Sequence, residues 1–469
     1  MNNDSTDRIL SGLRKWIAQA PPGARVPSNR ALMAQYAASP VTVQKAMRQL
    51  SALGMIDSRP GVGTFVRAVP QSGPADYGWQ TAALGAPQNR GSRLSSTQRT
   101  TAPDVIGLHS GYPARELLPE RLVRAAIART ARTEASLTRS PAAGLPELQA
   151  WFATELADAA PVGIRAPSAR DALIISGSQS GLSSIFRALI GPSRPLLIES
   201  PTYWGAILAA EQAGVNLVPV PAGPLGPDPE DVDRAFKASG ARGFYAQPTF
   251  ANPTGARWPG DVGQAVLATV RRHGAFLIED DWAHDLAIDA EPQPLAAHDD
   301  DGHVIYLRSL TKSVSPALRV AAVIARGPAR ERILADRAAE SMYVSGVLQA
   351  AALDVVTQPG WRGHLRGFRQ NLRTRRDWLL DSLRQHAPAV DVQHIPAGGL
   401  NLWVRLPEGT DVSRLVRDCE IRGLVLAPGT EWFPAEPSGP YVRLNYSGEN
   451  PERFPEAARI LGHALEELT

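Results

Sequence analysis

The sequence predicts a multidomain chain: a small α+β head, a tether, and a large α/β body. Three observations carry that reading. At 469 residues the chain has the length of about three ordinary domains. Residues 1–70 hold nine basic against three acidic side chains, a surplus of six, so with +3 overall the remainder carries −3. Beyond residue 104, short continuous apolar runs alternate with helical patterns.

A basic head on a mildly acidic body suits contact with a phosphate backbone, although a basic face can equally be plain solvated surface. Composition narrows the remaining classes. With 43% hydrophobic and 20% charged residues the chain is globular in balance. Its single cysteine, Cys419, excludes an intrachain disulfide and a cysteine-rich metal site, and fits a reducing compartment. No metal site is expected. No apolar run reaches the ~18 residues of a membrane span, and the polar start lacks a secretory signal. A cytoplasmic location is the expectation.

The head reads as three helices and a hairpin. Residues 8–17 place Ile9, Leu10, Leu13 and Ile17 on one helical face, and Pro21-Pro22-Gly23 ends that helix. Ser28 caps a second helix with Leu32, Met33 and Tyr36 inward. Ala37-Ala38 forms a turn. Ser39 then caps a third helix, with Pro40 at its first position, where a missing N–H does no harm. Val43, Ala46, Met47 and Leu50 face inward, leaving Thr42, Gln44, Lys45 and Arg48 outside. Two capped helices joined by a short turn make a helix-turn-helix. The glycine-tipped run Arg59-Pro60-Gly61-Val62-Gly63-Thr64-Phe65-Val66 reads as a wing. From Pro70 to Pro103 the chain is rich in Gly, Pro, Ser, Thr, Ala and Gln, the composition of a flexible tether.

In the body, residues 172–175, 195–198, 217–220, 243–246, 276–278 and 304–307 are apolar runs of strand length. Such runs between amphipathic helices indicate a mostly parallel sheet covered on both faces, and ligands bind beyond the carboxyl ends of its strands. The suggestive residues fall there. Ser176-Gly177-Ser178-Gln179-Ser180-Gly181 opens a helix as an anion site would, though many strand-helix turns look alike. Ser200-Pro201-Thr202-Tyr203-Trp204 offers an aromatic face, and Asn252-Pro253-Thr254-Gly255 an amide or only a turn. In Ile278-Glu279-Asp280-Asp281-Trp282, alternation turns Asp280 and Trp282 to one side and Asp281 to the other. An enclosed carboxylate there would hold a protonated pyridine nitrogen. Lys312 follows 32 residues after Asp280. With Ser309, Thr311 and Arg319 around it, it suits a Schiff base to an aldehyde cofactor carrying a phosphate. A lone lysine is usually a surface lysine; the ordered set argues otherwise.

The head resembles the winged helix-turn-helix of GntR-type regulators through Pro27-Ser28-Asn29-Arg30-Ala31-Leu32, Ser39 with Thr42-Val43, and Gly61-Val62-Gly63-Thr64-Phe65-Val66. The resemblance implies a double-stranded DNA operator, with Arg30, Thr42 and Gly63 at the backbone and Gln44, Lys45 and Arg48 near the groove. The body resembles the fold-type I aminotransferases, and the two halves together the MocR subfamily. The implied architecture is an α+β winged helix-turn-helix at residues 1–69, a linker at 70–103, and an α/β aminotransferase-like body at 104–469 with large and small subdomains. The implied cofactor is pyridoxal 5'-phosphate. Lys312 would form the internal aldimine, Asp280 would pair with the pyridine nitrogen, Asn252 would contact the ring hydroxyl and Tyr203 would stack. Ser178, Gln179, Ser309, Thr311 and Arg319 would hold the phosphate. Arg443, in Tyr441-Val442-Arg443-Leu444-Asn445-Tyr446, matches an arginine that binds a ligand carboxylate, against the plainer reading of a strand-edge salt bridge.

Four positions depart from the pattern. Ala37 and Pro40 stand where the family often has glycine and arginine, and Trp282 where it has tyrosine. Arg139 stands where the subfamily often has a tyrosine reaching a neighbouring subunit's phosphate. The expected function is a homodimeric, DNA-binding transcriptional regulator. It would sense an amino compound, or the cofactor itself, through aldimine chemistry at Lys312. The alternative is an active aminotransferase with an autoregulatory head.

Overall fold

The computed structural model describes residues 3–67, 80, 83, 95–102 and 104–468. The chain divides into two compact units, Met1–Gln88 and Asn89–Thr469.

The first unit contains α1 (Asn3–Gln19), α2 (Asn29–Tyr36), α3 (Pro40–Ala52) and a hairpin of β1 (Ile56–Arg59) and β2 (Gly63–Val66). Ile9, Leu10, Leu13, Leu32, Val43, Ala46 and Leu50 share one core with Ile56 and Val66. Both serine caps form. Ser28 Oγ accepts from the Ala31 amide and Ser39 Oγ from the Thr42 amide, each at 3.2 Å, satisfying amides the helix cannot. Ala37 closes α2 at φ 48°, a left-handed conformation that glycine adopts without strain and alanine does not. The stretch before α2 also joins the wing, with the Val26 amide donating to Thr64 O and the Val66 amide to Ala24 O, each at 2.8 Å. Nothing in the local pattern of residues 24–26 announces that pairing.

The second unit opens with β3 (Ile106–Gly107), α4 (Glu120–Thr130) and α5 (Pro146–Ala157). There follow β4 (Ala172–Ile175), α6 (Ser178–Ile185), β5 (Pro195–Ser200), α7 (Trp204–Gln212), β6 (Asn216–Gly223), β7 (Gly226–Pro227), α8 (Pro229–Ser239), β8 (Gly243–Ala246), α9 (Gly260–Arg272), β9 (Phe276–Asp281), β10 (Val304–Ser309) and β11 (Ala321–Ile324). These strands make an eight-stranded sheet in the order β4-β11-β10-β9-β8-β5-β6-β7. Strands β10, β9, β8, β5 and β6 run parallel. Strand β11 is antiparallel to both its neighbours, and β7 to β6. Alternate residues go to opposite faces. Leu196, Ile198, Tyr245 and Ile278 pack with Leu182 of α6, Ala209 of α7 and other apolar side chains. Leu197, Phe244 and Leu277 pack with Phe236 of α8 and Val266 of α9. The six apolar runs read from the sequence are all strands of this sheet. Strand β11, a short Ala-rich segment, was not among them.

The chain continues through α10 (Gly327–Ser341), α11 (Gly346–Thr357) and α12 (Gly360–His386) into a small subdomain. It contains β12 (Asn401–Arg405), α13 (Val412–Ile421), β13 (Leu424–Val425), β14 (Ala427–Pro428), β15 (Tyr441–Asn445) and α14 (Phe454–Glu466). Strands β12, β15 and β14 form an antiparallel sheet, backed by Leu379, Leu402, Leu444 and Leu461 in one core. Strand β3 pairs with β13.

Most of the expected linker, 70–103, lies outside the described residues. Its end is described. Residues 95–102 belong to the second unit, with Ser95 and Thr97 buried and Ser95 Oγ donating to Glu431 at 2.5 Å. Composition alone could not reveal a partner 336 residues away. No helix among the described residues is long and apolar enough to cross a membrane.

Candidate functional site

A cavity of about 410 Å³ collects every cofactor and effector residue expected from the sequence: Ser178, Gln179, Tyr203, Asn252, Asp280, Ser309, Thr311, Lys312, Arg319 and Arg443. Its size is that of a small-molecule site. The parallel strands explain the convergence. Ser178 follows β4, Tyr203 follows β5, Asn252 follows β8, Asp280 ends β9, and Ser309 and Lys312 stand at and after the end of β10. Arg443 comes from β15 of the small subdomain, so both subdomains wall the site.

Asp280 is 1% exposed. Its Oδ2 accepts from Tyr245 Oη and Gln247 Nε2, both at 2.8 Å, while Oδ1 is buried without a partner among the described residues. Burial raises its pKa to about 6, against the lowering effect of the two hydrogen bonds. Asp281 turns away as alternation requires and accepts from Tyr306 Oη at 2.6 Å. Trp282 lines the cavity beside Asp280, but its indole N–H is engaged by Phe250 O at 3.1 Å.

Of the four lysines in the chain (15, 45, 237 and 312), only Lys312 is not exposed. Its pKa is lowered well below the ordinary value, first by burial and then by Arg443 and Arg319. Its Nζ lies 3.3 Å from the ring centroid of Tyr112.

At one end of the cavity the Thr311 amide donates to Ser309 Oγ at 3.1 Å, and Thr311 Oγ1 is buried and unpartnered. Arg319 lies against Gly177, where an added Cβ would collide with its guanidinium. Gly177 thus keeps the start of α6 open to an anion. No helix separates Lys312 from Arg319; turns connect β10 to β11. Gln179 behaves differently from expectation. Its side chain donates to Gly205 O at 2.8 Å and accepts from Tyr203 Oη at 3.3 Å, so it positions the Tyr203 ring.

Arg443 is fully buried. It donates to His109 O at 2.6 Å, Ser110 O at 2.9 Å and Asn252 Oδ1 at 3.3 Å, and its Nε is unpartnered. Among the described residues no carboxylate forms an ion pair with it, which removes the strand-edge salt bridge. Burial lowers its pKa but leaves it charged at neutral pH. A buried cation hydrogen-bonded only to neutral oxygens retains strong attraction for an anion.

Several lining residues escaped sequence reading: Thr97, Gln98, Tyr112 and Gln247 among them. Gln247 had a usable signal, since it follows β8 directly. Arg139 is exposed and does not line the cavity. In the head, Arg30, Gln44, Lys45 and Arg48 are exposed. Thr42 Oγ1 is hydrogen-bonded to Ser39 Oγ at 2.8 Å. Gly63, at φ 138°, leaves room for the Arg25 guanidinium, which donates to Val62 O at 3.0 Å.

Residues 103–461 match the family of class I and II aminotransferases, and residues 5–66 match the bacterial regulatory proteins of the gntR family. The chain belongs to the aminotransferase class I and II family. It carries a GntR-type DNA-binding head, and the combination is that of the MocR subfamily. It is 30% identical to 2-aminoadipate transaminase of Thermus thermophilus over 381 residues, 80% of this chain and 93% of the relative. It is 28% identical to the uncharacterized HTH-type transcriptional regulator YdfD of Bacillus subtilis over 458 residues, 96% of this chain and 93% of that one. With the probable rhizopine catabolism regulatory protein MocR of Rhizobium meliloti it shares 26% over 448 residues, 94% and 89% of the two chains. A similar solved structure is LysN, an α-aminoadipate aminotransferase from Thermus thermophilus complexed with N-(5'-phosphopyridoxyl)-L-leucine. The TM-score is 0.72 at 28% identity, covering 80% of this chain and 96% of LysN.

The cofactor of this aminotransferase-like body is pyridoxal 5'-phosphate, and the residues fit it. The unpartnered Asp280 Oδ1 suits a pyridinium N–H, and the unpartnered Thr311 hydroxyl beside Arg319 suits a phosphate.

Proposed function

We propose that this chain is a transcriptional regulator whose cofactor-bearing body senses an amino compound carrying a carboxylate or similar anion. Arg443 carries the reading: a buried guanidinium with no ion-pair partner among the described residues, in the same cavity as Lys312. When bound, the cofactor supplies an aldehyde that condenses reversibly with primary amines. Lys312, whose pKa is lowered by burial and by Arg443 and Arg319, is the amine that an incoming amine would displace. Asp280 holds the ring nitrogen, and Ser309, Thr311, Arg319 and the amide end at Ser178 hold the phosphate. Asn252, whose Oδ1 accepts from Arg443, would have its amide nitrogen left to donate to the ring hydroxyl. Arg443 then selects amines that also carry an anion, since a forked guanidinium matches a carboxylate. The effector, taking the place of Lys312, would bridge the cofactor site on the large subdomain and Arg443 on the small one, biasing a two-state arrangement. In the reading proposed here the protein is a cytoplasmic homodimer whose two heads address paired half-sites.

The test has two arms. The holo-protein is titrated with a panel of amino compounds while its absorbance is followed, and gel shifts on the DNA upstream of its own gene are run with and without the same compounds. Absence of a shift at low salt in every condition would sink the regulator reading. Loss of the cofactor band in Lys312→Ala is expected.

A second reading, a working aminotransferase with an autoregulatory head, is favoured by the buried position of Lys312 in the cavity with Asp280 and by the likeness to a transaminase. Multiple turnovers with amino and keto acid pairs, roughly 1 per second or faster, would establish it. Against it, the Trp282 N–H is engaged by Phe250 and indole has no proton to exchange at neutral pH.

A further inference from the structure

The strap of residues 95–99 joins the cavity to the chain that leads back to the head. Thr97 and Gln98 line the cavity with Lys312 and Arg443. The strap is held at both ends, and each anchor leads to a support of Arg443. At its start, Ser95 Oγ donates to Glu431 Oε2 at 2.5 Å, and the Ser96 amide donates to both Glu431 oxygens at 3.0 and 3.2 Å. The next residue, Trp432, lies under the Arg443 guanidinium, 4.8 Å from ring centroid to Cζ. At the other end, Arg99 O is hydrogen-bonded to His109 Nε2 at 2.9 Å. The carbonyl of His109 accepts from Arg443 at 2.6 Å. Arg99 is further pinned by Glu420.

We propose that this strap is the element through which occupancy of Arg443 reaches the tether, with Thr97 and Gln98 touching the effector and Glu431 acting as the positioning residue. The inference rests on the sensing function above and names its route. An anion on Arg443 competes with His109 O and Ser110 O for the guanidinium N–H groups, which loosens one anchor. It also places a like charge near Glu431, whose own charge already acts on Arg443, and so loads the other. Both anchors can respond to one event because each is joined to a residue that contacts the same guanidinium, Trp432 on one side and His109 on the other.

The experiment is hydrogen exchange of the strap amides in full-length holo-protein with L-alanine, L-glutamate or L-2-aminoadipate, each checked by absorbance. n-Butylamine serves as the carboxylate-free control. Those amino acids that change the absorbance are expected to change exchange at residues 96–99 by about threefold or more, and n-butylamine is not. Glu431→Gln is expected to lose the strap response while the absorbance midpoint moves by roughly tenfold or less, the loss of one charge-assisted contact. Ser95→Ala, a milder change, is expected to reduce the response and carries the test if Glu431→Gln does not fold. An absorbance change with no strap response overturns this inference alone, as does a full response in the variants or an equal response to n-butylamine. If none of the three amino acids changes the absorbance, the sensing function falls first and takes this inference with it.

Discussion

Replacing Asp280 by asparagine is expected to stabilise the apo-protein and weaken its hold on pyridoxal 5'-phosphate. Asp280 is 1% exposed, and burial lifts its pKa from the ordinary 3.8 to about 6. At about 1.4 kcal/mol per pH unit, keeping the carboxylate ionised costs the folded apo-protein about 3 kcal/mol at neutral pH. The folded pKa is raised for an acid, so the penalty is nearly complete above about pH 6, shrinks as the pH falls, and vanishes below about pH 3, where folded and unfolded chains are both protonated. Asparagine retains a carbonyl oxygen for Tyr245 and Gln247, which donate to Oδ2 at 2.8 Å each, and carries no charge. The variant apo-protein is therefore expected to be the more stable at pH 7.5 by up to about 3 kcal/mol, and by about half that at pH 5. With cofactor the order reverses in affinity. Losing a charge-assisted contact to the pyridinium costs about 1.5–3 kcal/mol, a ten- to hundredfold weaker dissociation constant. Denaturant unfolding of both apo-proteins at the two pH values, with a cofactor titration of each, measures all of this. A variant less stable than wild type at pH 7.5, a gap that does not shrink at pH 5, or equal cofactor affinities would refute the reasoning.

Three further outcomes are expected. Arg443→Leu should remove the preference for carboxylate-bearing amines, weakening L-amino acids by about a hundredfold while leaving n-butylamine unchanged in the absorbance titration. Arg48→Ala should weaken DNA binding about equally across sequences and lower the slope of log K against log salt by about 1 if it meets phosphate, or relax preference at one base pair if it reads the groove; a gel-shift salt series separates the two. Ala37→Gly should slow hydrogen exchange of α2 and α3 amides in the full chain, since relief of the left-handed strain at φ 48° is worth roughly 1 kcal/mol.

The site residues were legible because each lies just past a strand whose apolar run is itself legible. Lys312 after β10, Asp280 at the end of β9 and Ser178 after β4 inherit their place from the sheet. Strands buried on both faces must be continuously apolar, so they stand out from the helices between them. Strand β11 did not stand out, because Ala321-Ala322 carries little strand signal. The capping serines of the head were equally local: a cap is satisfied within three residues of its own position.

What sequence alone determined here is therefore the local and periodic part: two units of different charge, the strand order in the chain, the caps, and the residue types gathered at strand ends. Tertiary structure decided the rest. Gln179 turns to Tyr203, Arg443 meets carbonyls 333 and 334 residues away, and Thr97 and Gln98, from the end of the expected tether, line the cavity. The reason is physical. Burial, and with it the cost of an unpartnered charge or polar atom, is a property of what surrounds a side chain in space, and for Asp280, Arg443 and the strap those surroundings come from distant parts of the chain.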